Sequence, residues 1–308
     1  MFSVVFPGQG SQTVGMSHDF YTKYDLFKKT FKEADEILNF KISKLILEGP
    51  KEDLDKTENT QPAIFLVSYC IFNLLKEKNE EIFTNAKYFA GHSLGEYTAL
   101  TCSGSLDFSD TLKILKKRGN AMQSAVPNGT GGMLAILNST YETIYNILED
   151  NKNVFECYIA NDNSNSQIVV SGFLDSIDKL SYHLKSLKIK NLRIPVSSPF
   201  HCKLMNKATK LMEKEIKKLN FNDPKIPIVS NVTANTAQNS FDYSELMIKQ
   251  IEHRVRWRES IQFMAKNNVN KFIEIGPGKI LSNLIKRIDT NFETLNINSI
   301  DHLEEFKL

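Results

Sequence analysis

Between the apolar run Tyr88-Phe89-Ala90 and the helix-forming stretch Leu94-Gly95-Glu96-Tyr97-Thr98-Ala99-Leu100 stands Gly91-His92-Ser93-Leu94-Gly95, one serine set between two glycines. That order of buried strand, tight turn and helix constrains the fold more than any other stretch of the chain. Only glycine lets the neighbouring backbone approach closely enough for so sharp a turn. The Ser93 hydroxyl is then expected at the mouth of a sheet, with the N–H groups of the following helical turn pointing toward it as half of an oxyanion hole. A serine in a glycine-rich turn without any chemistry has the same local pattern, so the rest of the chain has to decide.

Elsewhere the chain alternates short apolar strands with helices. Phe2–Phe6 reads as a buried strand stopped by Pro7-Gly8, and Gly8-Gln9-Gly10-Ser11-Gln12 as a loop with exposed backbone amides suited to an anion or a ligand. Pro62 is expected to open a buried helix running to about Lys76. A second helix, capped by Asp107 or Ser109, puts Leu112, Leu115, Gly119 and Met122 on one face with Arg118 at its edge. Pro127-Asn128-Gly129-Thr130-Gly131-Gly132 reads as a linker.

After it come strand (Met133–Leu137), helix (Thr140–Glu149), strand (Phe155–Ala160), turn (Asn161–Ser166), strand (Gln167–Ser171), helix (Leu174–Leu187) and strand (Asn191–Val196), the βαββαβ order of ferredoxin-like domains. Beyond Ser197-Ser198-Pro199 the helix and strand alternation resumes, which implies parallel strands with helical crossovers. The expected fold is α/β: a large hydrolase-like domain of residues 1–127 and 198–308, with a parallel sheet and flanking helices, interrupted by a ferredoxin-like small domain of residues 128–197. A cleft should lie where the two meet.

Composition narrows the partners. With 308 residues, 41% of them hydrophobic, the chain can bury a large core, and 38 basic against 36 acidic residues is too even a balance to imply a nucleic acid. No apolar run is long enough to span a bilayer, and Phe2–Phe6 follows the first residue with no basic leader, so a cytoplasmic protein without a membrane partner is expected. Cys70, Cys102, Cys157 and Cys202 form no C-x-x-C pair, which argues against a zinc site or a disulfide framework and for small buried residues.

A serine needs a base, and six histidines are available. His92 follows directly on the strand and is expected to point away from Ser93. His18, His183, His253 and His302 sit in polar or helical surroundings that read as surface. His201, in Pro199-Phe200-His201-Cys202, lies where the chain re-enters the large domain and is therefore placed at the cleft as the base. No acid between Ser93 and His201 stands out to orient the imidazole, so a main-chain carbonyl is an alternative. For Arg118 two readings stand level: a solvated charge following Lys116 and Lys117, or a planar guanidinium that meets a substrate carboxylate with two parallel hydrogen bonds.

Taken in order, Phe6-Pro7-Gly8-Gln9-Gly10-Ser11-Gln12, Gly91-His92-Ser93-Leu94-Gly95-Glu96-Tyr97, Arg118-Gly119-Asn120-Ala121-Met122-Gln123, Pro199-Phe200-His201-Cys202, Gln250 with Val255-Arg256-Trp257, and Glu274-Ile275-Gly276-Pro277-Gly278 resemble the malonyl-CoA:acyl carrier protein transacylase family. The resemblance runs from Phe6 to about Arg287. It implies an acyltransferase that takes malonyl from coenzyme A as a Ser93 ester and passes it to the phosphopantetheine thiol of acyl carrier protein, in support of fatty acid biosynthesis. By the same resemblance His201 is the general base and later acid, Gln9 and Leu94 supply the N–H groups of the oxyanion hole, and Arg118 binds the malonyl carboxylate. Gln250 would orient His201 through its main-chain carbonyl, Asn161 would face the substrate cleft, and Phe200 would crowd an α-methyl group. Relatives often carry proline where this chain has Arg254, which leaves the Gln250 loop free to run differently.

No cofactor or metal is implied, malonyl-CoA being a substrate, and a monomer is expected. Because the carrier protein family is acidic, Lys116, Lys117, Lys286 and Arg287 are candidates for a basic rim. The competing enzyme is a serine hydrolase, a thioesterase or a patatin-like lipase, that passes the acyl group from the same elbow to water. A non-catalytic carrier-docking protein would not need Ser93, His201, Arg118 and Gln9 together.

Overall fold

The computed structural model describes residues 1–196, 198–237 and 239–306, apart from the side chains of residues 82 and 83, so Ser197 of the re-entry stretch lies outside the described residues. Its strands are β1 (Phe2–Phe6), β2 (Ala86–Gly91), β3 (Gly131–Leu137), β4 (Cys157–Ser164), β5 (Gln167–Phe173), β6 (Asn191–Ile194), β7 (Ile228–Val229), β8 (Lys271–Ile275) and β9 (Glu293–Ile297). They form two sheets.

The first sheet is parallel, in the order β7-β2-β1-β8-β9. Every residue of β1 is buried, as expected of a strand covered by helices on both faces. Alternation along the strand sends Val4 and Phe6 into the larger apolar core and Val5 into a second core across the sheet, with Ala90 and Trp257. In the larger core Phe6, Phe72 and Phe89 meet edge to face, their ring centroids 5.6 to 5.8 Å apart.

Register makes the site. Phe6 pairs with Gly91 and Ala90 with Val229, so β1, β2 and β7 end side by side, and the loops that leave them carry Gln9, Ser93 and Asn231 to one edge. Ligands of open α/β sheets bind at this carboxyl edge.

The second sheet is antiparallel, in the order β4-β5-β3-β6. Helices Tyr141–Asp150 and Leu174–Ser186 close a third apolar core against it, around Leu134, Ile168 and Leu180. The chain order through this unit is β-α-β-β-α-β.

Several element boundaries differ from the expectation. The buried helix begins at Thr57, with Pro62 inside it, because Asn59 and Thr60 tie its first turn to the main-chain oxygens of Asp53 and Leu54. Gly119 of helix Phe108–Gln123 also packs there; a Cβ on it would come within 2.5 Å of the Glu58 backbone. Asn161–Ser164 belong to β4 and not to a turn, since Val255 bridges to them on the side away from β5: Asp162 N donates to Val255 O at 2.9 Å and Val255 N to Ala160 O at 2.8 Å. Buried Asp162 then accepts a forked hydrogen-bond pair from Arg258. Gly131 and Gly132 are strand, so the flexible stretch ends at Thr130, and a Cβ on Gly131 would strike the Pro199 ring at 2.3 Å.

Candidate active site

The turn after β2 is as tight as its glycines imply. A Cβ on Gly91 would lie 2.0 Å from the carbonyl of Gly95, and one on Gly95 would lie 2.2 Å from the Phe6 oxygen. Ser93 between them has φ 54° and ψ −108°, a strained conformation for a residue with a side chain. The strain is held by Asn231, which is fully buried: its Oδ1 accepts from Ser93 N at 2.7 Å and its Nδ2 donates to Gly91 O at 2.7 Å.

His201, also at positive φ, brings Nε2 to 2.8 Å from Ser93 Oγ. Its Nδ1 lies 2.9 Å from the main-chain oxygen of Gln250. A carbonyl can only accept, so Nδ1 carries the ring proton and the Nε2 lone pair faces the serine hydroxyl. Burial, with the positive charge of Arg118 next in size, pulls the His201 pKa down to about 3, so the imidazole is neutral at physiological pH. The orienting group is thus a main-chain carbonyl. Arg254 leaves it in place: that side chain turns aside over the Tyr141 ring and pairs with Glu259.

Arg118 is not at the edge of its helix face but wholly buried in it. One position beyond Lys117, the helical turn of about 100° carries it inward while Lys116 and Lys117 stay at the surface. Its Nη1 donates to Gln61 Oε1 at 2.8 Å, and its Nη2 to Gln250 Oε1 at 2.9 Å and to Ser93 Oγ at 3.1 Å. The guanidinium also lies 5.5 Å from the centre of the Tyr97 ring. Among the described residues no carboxylate lies within ion-pair distance of it. The hydrogen bonds of this buried cation thus go to amide oxygens and a hydroxyl, and to no carboxylate.

A cavity of about 150 Å³ opens in front of Ser93 and His201, lined also by Gln9, Gln61, Asn161 and Phe200 among others, with Arg118 behind Gln61 and Ser93. Residues of both sheets wall it, Met133, Asn161 and Val169 coming from the antiparallel one. Leu94 opens the helix Leu94–Cys102, so its N–H is one of the four without a partner inside the helix. His92 packs against Trp257 with Nε2 2.9 Å from Asn163 Oδ1 and 3.5 Å from Asn161 Nδ2, away from Ser93 Oγ but on the wall of the same cavity and not, as expected, outside it. Gln9 and Val196 also line a larger groove of about 1090 Å³ that leads away past Thr57 and Arg193.

The other cationic and thiol candidates stand apart from this chemistry. Lys116 donates to Asn59 at 2.6 Å, Lys117 pairs with Glu215, and Lys286 donates to its neighbour Thr290 O at 3.2 Å. All four cysteines are free and buried, and burial pushes the Cys202 thiol up to about 12. No group of described residues could hold a metal ion, and no described helix is long and apolar enough to cross a membrane.

Three site residues escape the sequence reading. Gln61 holds Arg118, Asn231 holds the elbow, and Glu96, a buried acid of the elbow helix, accepts from Gln250 Nε2 at 2.6 Å and from Asn231 N at 3.1 Å. Burial raises the Glu96 carboxyl to about 7 against the opposing pull of its donors. The one available signal for Asn231 was its place directly after the apolar Ile228-Val229, at the same sheet edge as the serine.

Residues 3–298 match the model of the acyl transferase domain family. The chain belongs to that family. Among relatives of this acyl transferase, the malonyl CoA-acyl carrier protein transacylase of Haemophilus influenzae is 37% identical over 309 residues, covering 99% of this chain and 98% of the relative. The crystal structure of an acyl carrier protein S-malonyltransferase from Vibrio cholerae superposes with a TM-score of 0.94 at 38% identity, covering 99% of each chain. A malonyl-transacylase solved in complex with its holo type II acyl-carrier protein matches with a TM-score of 0.94 at 34% identity, over 98% of this chain and 97% of that one. The fold is therefore that of an α/β acyltransferase, and the relatives are transferases, not hydrolases.

Proposed function

We propose that this acyl transferase moves malonyl from coenzyme A to the phosphopantetheine thiol of an acyl carrier protein through an ester on Ser93, supplying fatty acid biosynthesis. The observation that carries the reading is Arg118, a fully buried guanidinium 3.1 Å from the serine oxygen with no carboxylate of its own. An acyl group that ends in a carboxylate provides the missing partner at the distance the reaction needs.

In this reading His201 Nε2 takes the proton of Ser93 Oγ as the oxygen attacks the thioester carbon. The tetrahedral oxyanion is held by the N–H groups of Gln9 and Leu94, each such donor contributing roughly 3 kcal/mol. His201 returns the proton to the departing coenzyme A sulfur. The carrier thiol then repeats the sequence in reverse, its proton going to His201 and the ester oxygen recovering one to restore Ser93. Gln250 keeps the imidazole in the tautomer that can do both, Asn161 faces the acyl group, and Phe200 limits substituents next to the carboxylate. Exchange of thioester for oxyester and back changes little bond energy, so lowering two similar barriers is the whole task. The groove shared by Gln9 and Val196 gives the long thiol arm a path to the small acyl cavity.

Incubation with malonyl-CoA and a holo acyl carrier protein tests the reading. Carrier-bound malonyl is the expected product; free malonate formed in its place would turn the reading toward a hydrolase.

A further inference from the structure

The reaction just described gives Glu96 nothing to do, yet this carboxyl is fully buried one turn beyond the serine. An acid in the first turn of a helix ordinarily answers the N–H groups of that helix. Glu96 does not: its Oε2 accepts from Gln250 Nε2 at 2.6 Å and from Asn231 N at 3.1 Å, both on other segments. Its Oε1 makes no direct hydrogen bond among the described residues, and the Ser230 hydroxyl, next to Asn231, is the further group that draws the carboxyl toward its charged form. A proton held on Oε1 therefore leaves Oε2 accepting, whichever state the carboxyl is in.

The two donors are the two segments that aim the site. The side-chain amide of Gln250 gives its second N–H to Ser93 O at 3.0 Å and receives Arg118 Nη2 on Oε1 at 2.9 Å, while the main-chain oxygen of the same residue holds His201. Asn231 clamps the Ser93 backbone. An amide has two faces that differ only in which end donates. Turned over, Gln250 would set its NH2 against the Arg118 guanidinium and its oxygen against two acceptors, Glu96 Oε2 and Ser93 O. Glu96 and Ser93 O together select the orientation that leaves an acceptor for Arg118.

We propose that Glu96 is a positioning residue: by holding the Gln250 amide in one orientation it aims the Arg118 guanidinium, so that preference for an acidic acyl group depends on a carboxyl that never touches the substrate. This rests on the malonyl-transfer reading and adds to it a cause for the selectivity. Glu96 does not line the acyl cavity; its hydrogen bonds run to Gln250 and Asn231, and through Gln250 to Ser93 and Arg118.

Glu96→Gln and Glu96→Met separate the possibilities, because both remove the charge and keep the approximate volume while only glutamine keeps an oxygen acceptor for Gln250. kcat/KM is measured for malonyl-CoA and for acetyl-CoA in the full chain, with thermal melts to establish that each variant is folded. The expected result is that E96M lowers the malonyl-to-acetyl ratio by about tenfold while E96Q stays within about threefold of the parent, a split that a space-filling role would not produce. Gln250→Met, which leaves the main-chain oxygen on His201 but cuts the link to Arg118, should lower the ratio by as much as E96M, and the double variant by no more than either alone. This arm keeps the test open if E96M does not fold. Unchanged ratios in E96M and Q250M, or equal losses in E96M and E96Q, would overturn the proposal. Failure of the unsubstituted enzyme to transfer malonyl would instead remove the reading on which it rests.

Discussion

His201 Nε2 stands 2.8 Å from Ser93 Oγ although 108 residues separate them in the chain. The contact is made by two positive-φ backbones, φ 54° at the serine and 56° at the histidine, with buried Asn231 holding the serine backbone and the main-chain oxygen of buried Gln250 holding the histidine ring. A half-buried hydroxyl, a neutral imidazole and a guanidinium are thereby fixed before any substrate arrives, which is the preorganisation that acyl transfer requires.

Arg118→Ala should lower kcat/KM for malonyl-CoA by about 100- to 1,000-fold, the loss of two charge-assisted hydrogen bonds to a carboxylate, and for acetyl-CoA by much less. Acetyl has no group for the arginine to hold. Steady-state kinetics with both thioesters decide it, and equal losses would make Arg118 a structural cation only.

The pH dependence follows from the imidazole. With its pKa near 3, His201 is already a free base throughout the neutral range, so formation of the acyl-enzyme should show no acid limb centred near 6.5. Stability carries the same signature. Because the folded value lies below the ordinary 6.5, the unfolded chain binds the proton first, and the contribution of the neutral ring is complete above pH 6.5 and lost as pH falls toward 3. Urea unfolding at pH 7 and pH 5 should therefore show the parent losing about 1.4 kcal/mol per pH unit below 6.5 relative to His201→Asn. A parallel decline of the two proteins would contradict the shifted value.

Gly95→Ala should destabilise the protein by about 2–3 kcal/mol and depress the acylation rate, since its methyl would meet the Phe6 oxygen at 2.2 Å and push the serine turn off β1. Thermal melts and burst kinetics read the two effects. A stable, fully active alanine variant would mean that the turn tolerates a methyl group and does not depend on the glycine.

Asn231→Ala removes the acceptor of Ser93 N and the donor to Gly91 O. A loss of about 2 kcal/mol in stability is expected, with a fall in kcat and little change in KM, because the elbow loosens while Arg118 keeps its place. A variant that changes KM alone would place Asn231 in binding.

Much of this was legible in the residues. Gly91 and Gly95 announce the turn, and β1 is a plain apolar run that ends in Pro7-Gly8. What stayed hidden is what depends on tertiary partners. Arg118 after two lysines looks solvated until the helix face is known, and Asn161-Asp162-Asn163-Ser164 looks like a turn because nothing local shows that Val255 and Arg258 will satisfy its polar groups. Glu96 resembles any acid at a helix start, and its burial between β7 and Gln250 is a property of the assembled sheet. Pro62 misled for the same reason: contacts to residues 53 and 54 and to Gly119 carry the helix one and a half turns further back than proline chemistry alone suggests.

The most direct test is to expose the enzyme to malonyl-CoA with no carrier protein, quench in acid, digest, and weigh the peptides. The account predicts one malonyl group on the peptide that contains Ser93, absent after Ser93→Ala and discharged by a holo carrier thiol. A malonyl group found on another residue, or retained in the Ser93→Ala protein, would contradict it.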